Sequence, residues 1–321
     1  MHKPLGIMKE QCLITGGSGF LGQALMEALA RRYDVCTLGR HTTGAAVHIR
    51  ADLGSEIPVL PDEFFSLVVH NAGLAHHEAL KKTDPDIFFR VNAAGTEHLL
   101  QALSRLTRPP ACLVLISTVA VYGLSGGHDI DEEHPFAATD DPYSLSKRKA
   151  EEFMLHYAAG KNIPCFIFRL PLVIGRNHKG NMRKLVDAFR KGRYLSVKGN
   201  HARKSMVRAD DVAALIAALP KGSGGIYNLS DGAGHSLNEI ETVLAHKTGT
   251  RPLGIPGILL QLAALAGSVI RVVWKGFPLS TGVYRKLTST LTFSNARASQ
   301  DLDWKPRDVL DYLKDTPTEA L

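Results

Sequence analysis

Eight residues near the start, Thr15-Gly-Gly-Ser-Gly-Phe-Leu-Gly22, restrict this chain more than any others. They follow an apolar run, Gln11–Thr15, and open a helical pattern, Phe20–Arg32, with Leu21, Leu25 and Leu29 at i, i+4 and i+8. Glycines at a strand-to-helix turn allow a tight bend and bring backbone close to a pyrophosphate. The last of them, Gly22, lets the helix lie against the sheet, and the helix N-terminus offers N–H donors to an anion. The spacing fits both GxxGxxG (Gly16, Gly19, Gly22) and GxGxxG (Gly17, Gly19, Gly22). Either way it predicts a dinucleotide-binding loop.

The next 150 residues alternate short apolar runs with helical patterns. Strands are expected at Val35–Leu38, Val47–Ile49, Leu67–His70, Leu113–Ser117 and Cys165–Leu170, with helices near Asp84–Ser104 and Pro142–Ala158. Continuous apolar strands separated by helices imply an α/β fold with a doubly wound parallel sheet covered on both faces. We expect this dinucleotide-binding Rossmann domain to span 10–175. The chain returns to it at about 205–230, where a helix (Asp210–Leu219) and a strand (Ile226–Leu229) reappear. Segments 176–204 and 231–321 are then a smaller C-terminal substrate lobe.

With 45% apolar and 21% charged residues, the chain reads as an ordinary globular protein. A net charge of +7 hints at an anionic substrate, but no basic run interleaved with aromatics points to nucleic acid. Cys12, Cys36, Cys112 and Cys165 share no CxxC spacing and each falls in an apolar run, so buried thiols in a reducing compartment are expected. Met1 to Gln11 carries no apolar stretch of a secretory signal, which sets the expectation of a cytoplasmic protein. The stretch Ile255–Val273 is nearly apolar but carries Gln261, Ser268 and Arg271, so no membrane span is expected. A helix pair covering a core or pocket is the first reading of it, and a peripheral membrane contact the second.

The second strand ends in Gly39-Arg40, where a ribose-binding carboxylate would otherwise sit. An arginine there can hold a 2′-phosphate, which favours NADP over NAD as the NAD(P) cofactor. Asp52, after the third strand, is either an adenine partner or a strand-end cap. Further on, Tyr143-Ser-Leu-Ser-Lys147 opens a helix, with Asp141 as N-cap and Pro142 at the first helical position. The i, i+4 spacing puts phenol and ammonium on one face. A neighbouring cation favours the phenolate, so Tyr143 can exchange a proton with a substrate hydroxyl. The strand Leu113–Ser117 runs into Thr118, whose hydroxyl can reach the same oxygen at the sheet's carboxyl edge.

Taken together, TGGSGFLG, HNAG (His70–Gly73), VNAAGT (Val91–Thr96), ISTVAVYG (Ile116–Gly123) and YSLSK resemble the extended short-chain dehydrogenase/reductase family, of the NAD-dependent epimerase/dehydratase type. RLPLVIG (Arg169–Gly175), RKSMVRADDVA (Arg203–Ala213) and FSNARASQDLDWKP (Phe293–Pro306) extend the match over almost the whole chain. The resemblance implies catalytic residues Thr118, Tyr143 and Lys147. It places the cofactor at Gly16, Gly19, Phe20, Leu21, Gly22, Arg40, Asp52, Leu53, Ala72, Asn92, Tyr143 and Lys147, with Asn92 also bracing the active-site helix. Nucleotide-sugar substrates are common in the family, and here Asn181, Arg203, Lys204 and the weaker Arg285 are the candidate diphosphate contacts. The resemblance also implies a homodimer through the helices near 84–104 and 142–158, with Phe88, Leu99, Leu103, Leu145, Phe153 and Tyr157 on their apolar faces.

Dehydratases of this family follow the catalytic threonine with an Asp-Glu pair. Val119 and Ala120 stand here instead and cannot move protons. That leaves a 4-epimerase or a 4-keto reductase of a UDP-type hexose, and LTSTLTFSNARA (Leu287–Ala298) and HNAGLAHH (His70–His77) resemble enzymes of surface-polysaccharide sugar pathways. Leu172, Ala75 and Lys204 depart from the Asn, Lys and Arg of UDP-glucose 4-epimerases, so glucose/galactose specificity is not expected. The pair His76-His77 is a candidate for the cofactor cleft, and no HExxH or paired Cys/His spacing suggests a metal. Two other readings stand beside this one: a dehydrogenase for a lipid or steroid hydroxyl, and a non-catalytic NAD(P)-sensing regulator. Basic residues at Arg176, Lys179, Arg183, Arg203 and Lys204 favour a diphosphate over a lipid, and a sensor has no need of the phenol.

Overall fold

A computed structural model describes residues 9–74, 84, 86–176, 181–220, 222, 224–273 and 281–318. Seven parallel strands form the main sheet: β1 (Glu10–Thr15), β2 (Tyr33–Gly39), β3 (Val47–Arg50), β4 (Phe65–His70), β5 (Leu113–Thr118), β7 (Cys165–Leu170) and β12 (Gly224–Asn228). Their spatial order is β3-β2-β1-β4-β5-β7-β12. The order reverses between β1 and β4, and such a switch point opens a crevice beyond the strands' carboxyl ends.

Alternation along each strand feeds two separate layers. Cys12, Ile14, Val114, Phe166 and Phe168 face one core, against Leu25 and Leu29 of α1 (Phe20–Leu29) and Val212 and Ile216 of α5 (Ala209–Ala217). Leu13, Leu113, Leu115 and Ile167 face the other, against Leu99 and Leu103 of α2 (Gly95–Ser104) and Met154 of α3 (Pro142–Lys161). With both faces covered, no polar side of the sheet exists, which is why the strands read as unbroken apolar runs.

The expected helix over 84–104 is not uniform. A short α-helical turn, Asp86–Phe88, passes through a π-helical segment, Phe89–Ala94, before α2 begins. Phe88, Leu99 and Leu103, expected on the apolar faces of a dimer contact, are buried inside the subunit itself. Cys12, Cys36 and Cys165 are buried in strands, whereas Cys112 is half-buried just before β5, and all four thiols are free. Burial pushes the Cys36 thiol up to about 11 and those of Cys112 and Cys165 up to about 12, which keeps them unreactive.

Beyond residue 170 the chain builds smaller sheets. β8 (Leu172–Ile174) pairs with β11 (Met206–Arg208), and β9 (Leu195–Lys198) with β14 (Leu253–Pro256). A four-stranded sheet joins β6 (Gly127–Ile130), β10 (Arg203–Lys204), β13 (His235–Ser236) and β15 (Leu291–Phe293). Helices α4 (Asn181–Arg190), α6 (Leu237–Thr248) and α10 (Val309–Asp315) enclose a third core around Met182, Phe189, Leu244 and Leu313. The stretch expected as a helix pair is one helix, α7 (Gly257–Val273), entered directly from β14 and followed by α8 (Thr281–Thr288). Among the described residues, no helix is long and apolar enough to cross a membrane. The last helical pair is α9 (Ala296–Leu302) and α10.

Candidate functional site

At the switch point the glycine loop takes the conformation its sequence requires. Gly16 has φ +70°, and a Cβ there would sit 2.7 Å from the backbone nitrogen of Ala72. Gly22 is tighter still, because its Cβ would lie 2.2 Å from the Gly16 carbonyl oxygen. Gly19 is the N-cap of α1, with an extended backbone. A Cβ on Gly17 would meet only side chains of Thr43 and Met26, so the GxxGxxG reading is the one with a steric cause. Two bonds tie the loop to the turn after β4: the Asn71 side-chain amide donates to the Gly16 carbonyl (3.0 Å), and the Ala72 N–H donates to the Thr15 hydroxyl (3.0 Å).

The loop, the end of β2, the segment after β3 and the turn after β4 enclose a cleft of about 700 Å³. Gly16, Gly19, Phe20, Leu21, Arg40, Asp52, Leu53 and Ala72, read from the sequence as cofactor contacts, all line it. Ser18, His41 and Asn71 line it too and were not foreseen. Its volume suits a large ligand. The absence of side chains at Gly16 and Gly19, together with the N-terminus of α1, makes a cradle that fits a dinucleotide pyrophosphate. Arg40 and Asp52 lie side by side at the rim, Nη1 to Oδ2 at 4.0 Å and both largely exposed. Asp52 also caps its own turn by accepting from the Gly54 N–H at 3.0 Å, the second of its two expected roles.

Asn92 links this cleft to the catalytic helix. From the π-helical segment its Oδ1 accepts from the Leu74 N–H (2.7 Å), and its Nδ2 donates to the Ser146 hydroxyl (3.0 Å) in α3. Such helical irregularities recur at functional sites because they re-aim a side chain that a regular turn would misdirect. α3 itself begins where the sequence predicts, with Asp141 Oδ2 accepting from the Ser144 N–H at 3.0 Å and Pro142 in the first turn.

Thr118 ends β5 and Tyr143 lies in the first turn of α3, close enough for the Thr118 hydroxyl to act on the phenol. Phe88 packs on the Tyr143 ring with centroids 5.8 Å apart. Lys147 is buried one turn on, its Nζ donating to the Ile116 carbonyl at 2.7 Å. Burial lowers its pKa to about 8, with Glu151 opposing. The expected bias of Tyr143 toward phenolate is absent from the protein alone. Burial raises its pKa above the ordinary tyrosine value, Asp141 adds to this, and the Thr118 hydrogen bond only partly offsets it. Val119 and Ala120 form a 3-10 turn immediately after Thr118, so no acid enters there.

Beneath this cluster lies a buried network that sequence reading missed. Glu151, a further turn along α3, holds Arg169 of β7 at 2.7 Å, with both side chains at most 5% exposed. Ser117 also donates to Glu151, and Arg169 Nη1 donates to the Tyr122 hydroxyl (3.0 Å), which donates to Asn228 (2.9 Å). Two signals were available: the i, i+4, i+8 run Tyr143–Lys147–Glu151, and an arginine inside an otherwise apolar strand.

The expected diphosphate contacts are less uniform. Arg203 and Lys204 alternate on β10, and the Arg203 guanidinium is turned onto a neighbouring turn, Nε donating to the Gly234 carbonyl at 2.5 Å. Lys204 is half-buried, and burial lowers its pKa. Arg285 is exposed on α8. Asn181 starts α4, but its side chain lies outside the described residues, as do Ala75, His76, His77 and Lys179. Asp231, His235 and Asp308 come within 4.8 Å of one another, a cluster that sequence spacing hides. Its atoms are engaged in a clasp: His235 Nε2 bonds Asp231 at 2.8 Å, and Asp308 Oδ1 caps α10 by accepting from the Leu310 N–H at 2.6 Å.

A dinucleotide-sized cleft at the switch point, linked through Asn92 to a Thr–Tyr–Lys cluster, defines an NAD(P)-binding enzyme of the Rossmann type. The model of the NAD dependent epimerase/dehydratase family matches residues 12–230, and the chain belongs to that family. It is similar to a UDP-glucose 4-epimerase of Vibrio cholerae, 27% identical with 94% of this chain and 93% of that protein covered. It is 30% identical to the 4-hydroxy-2-methyl-3-oxo-4-farnesyl-3,4-dihydroquinoline-1-oxide ketoreductase of Stigmatella aurantiaca, over 92% of this chain and 91% of that one. Among solved structures, the human epimerase family protein SDR39U1 (isoform 2) with NADPH shares the fold, with TM-score 0.72 and 20% identity over 97% of this chain and 100% of that one.

Proposed function

We propose that this enzyme transfers hydride at C4 of a UDP-type hexose, acting as a 4-keto reductase in preference to a 4-epimerase, with NADP as its cofactor. The convergence of Thr118, Tyr143 and Lys147 at the carboxyl edge of β5 carries this reading. In it, Tyr143 donates its hydroxyl proton to the sugar's O4 and Thr118 holds that oxygen by a hydrogen bond. Lys147 and Asn92 fix the position of the catalytic helix and of the ribose side of the cleft. The nicotinamide, when bound in the cleft, supplies or accepts the hydride. The hydrocarbon side chains of Val119 and Ala120 argue against dehydration. We further assign the substrate lobe to 176–204 and 231–321, with Lys204 and Asn181 toward the diphosphate and Arg203 acting mainly as a brace for its turn.

Offered a UDP-linked 4-keto-6-deoxyhexose, the protein should consume NADPH stoichiometrically, whereas a UDP-hexose alone should give at most interconversion of 4-epimers without net consumption. The Vibrio relative's substrate supports the nucleotide sugar, and the Stigmatella ketoreductase supports reduction within the family. That second relative also favours one other reading, a prenylated or otherwise lipid-like ketone. NADPH oxidation with such a ketone, and no reaction or binding with either nucleotide sugar at millimolar concentration, would replace the sugar reading.

Arg40 is proposed to read the 2′-phosphate. A charge-assisted hydrogen bond contributes about 1.5–3 kcal/mol, or roughly one to two decades in affinity. Arg40→Ala should therefore weaken NADPH by at least about tenfold and leave NADH nearly unchanged in fluorescence titrations. Equal losses for the two cofactors would remove Arg40 from that role.

A further inference from the structure

Two of the stretches without a single Asp or Glu, Ala188–Ala209 and Thr242–Gln300, together carry fourteen Lys and Arg residues. The rest of the chain has twenty-four Lys and Arg against thirty-one Asp and Glu. Both stretches are therefore strongly net positive, as is the acid-free Phe153–Val186. The parallel pair of β9 and β14 joins the first two side by side.

The same place carries a cluster of exposed apolar side chains. On α7, Ile258, Leu259, Leu262 and Leu265 are between 50% and 60% exposed, and i, i+4, i+7 spacing puts Ile258, Leu262 and Leu265 on one face. Ala264, on another face of the helix, is fully buried. Leu195 and Leu253, directly paired across β9 and β14, are 54% and 69% exposed. Lys191, Arg193, Lys198 and Arg251 are exposed on the elements that flank these leucines. The nearby carboxylate of Glu241 is buried and takes hydrogen bonds from Tyr194 and Ser196, so it does not offset the basic rim.

We infer that this face is a docking surface for an anionic lipid bilayer, with α7 lying in the interfacial plane. An apolar helix face rimmed by Lys and Arg suits acyl chains below and anionic headgroups around it. Over its described residues the helix is not long and apolar enough to cross a bilayer. A second copy of this chain fits less well, because a two-fold contact would set one basic rim against another. The inference goes beyond the assigned chemistry and is read out without turnover, so either can fail while the other stands.

The test is cosedimentation of the full chain with vesicles of phosphatidylcholine alone and with about one third phosphatidylglycerol. Binding should require the anionic lipid and weaken with salt. Leu259→Ser with Leu262→Ser should reduce partition by at least about tenfold, since each leucine forfeits apolar burial. Lys198→Glu with Arg251→Glu should do the same, at roughly fivefold for each charge removed. Both pairs change exposed side chains, and unchanged melting temperatures would verify their folding. If either pair melts lower, Leu262→Asn or Lys198→Gln alone gives the same reading. No binding to anionic vesicles, or binding indifferent to these substitutions, overturns the inference. So does a concentration-dependent dimer that the serine pair abolishes while no vesicle binding is seen, which would assign the face to a second copy.

Discussion

Tyr143→Phe should lower turnover by about 10²–10⁴ while leaving NADPH affinity within about twofold, because removal of a positioned proton donor carries a loss of that size. The ring still packs on Phe88, so the substitution takes away the hydroxyl and little else. Thr118 also loses its partner, but it retains a hydrogen bond from the Ala120 N–H at 3.2 Å and so keeps its place. Stopped-flow turnover with a keto sugar, beside a cofactor titration, separates the two quantities. Near-normal turnover would remove Tyr143 from the proton path. Equal losses in turnover and cofactor affinity would instead make it a binding residue.

The second large effect is on stability. Arg169→Met leaves the Glu151 carboxylate buried beside Ser117 without its hydrogen-bonded cation, Lys147 acting on it only from one turn away, and breaking a buried pair in this way costs about 3–5 kcal/mol. The arginine also lies 4.9 Å over the Tyr122 ring and bonds its hydroxyl, so its loss loosens the turn that follows Thr118. Removing both charges in Glu151→Gln with Arg169→Met should recover much of that loss, since no uncompensated ion then remains. Urea midpoints of the single and double variants measure this. A loss below about 1 kcal/mol for the single variant would mean that water or a rearranged side chain solvates Glu151.

Parts of this molecule that depend on one rigid local requirement were legible in the sequence. Gly16 and Gly22 are steric necessities, and the YxxxK spacing with its Asp-Pro cap brings Tyr143 and Lys147 onto one face wherever a helix forms there. The strands of the main sheet were legible because both of its faces are buried. What escaped depends on distant partners. β6 and β15, four and three residues long, show no periodicity of their own and exist because they pair with each other across the chain. The π-helical segment that aims Asn92 has the composition of an ordinary helix. Likewise, nothing local reveals that Arg203 turns onto Gly234, or that Asp308 meets His235. The acid–base preference of Tyr143 escaped for another reason: the lysine four residues on suggested a lowered pKa, and burial outweighs it.

The central claim, hydride delivery to C4 with Tyr143 as proton donor, is tested most directly by isotope placement. Protein incubated with a UDP-linked 4-keto-6-deoxyhexose and NADPH deuterated at nicotinamide C4, each hydride face labelled in turn, should yield a sugar carrying deuterium at C4 from one face only. Proton and deuterium NMR of the product would show the label there, and Tyr143→Phe should abolish it over the same time. Label found at another carbon, or a C4 hydroxyl formed without label from either face, would contradict the account.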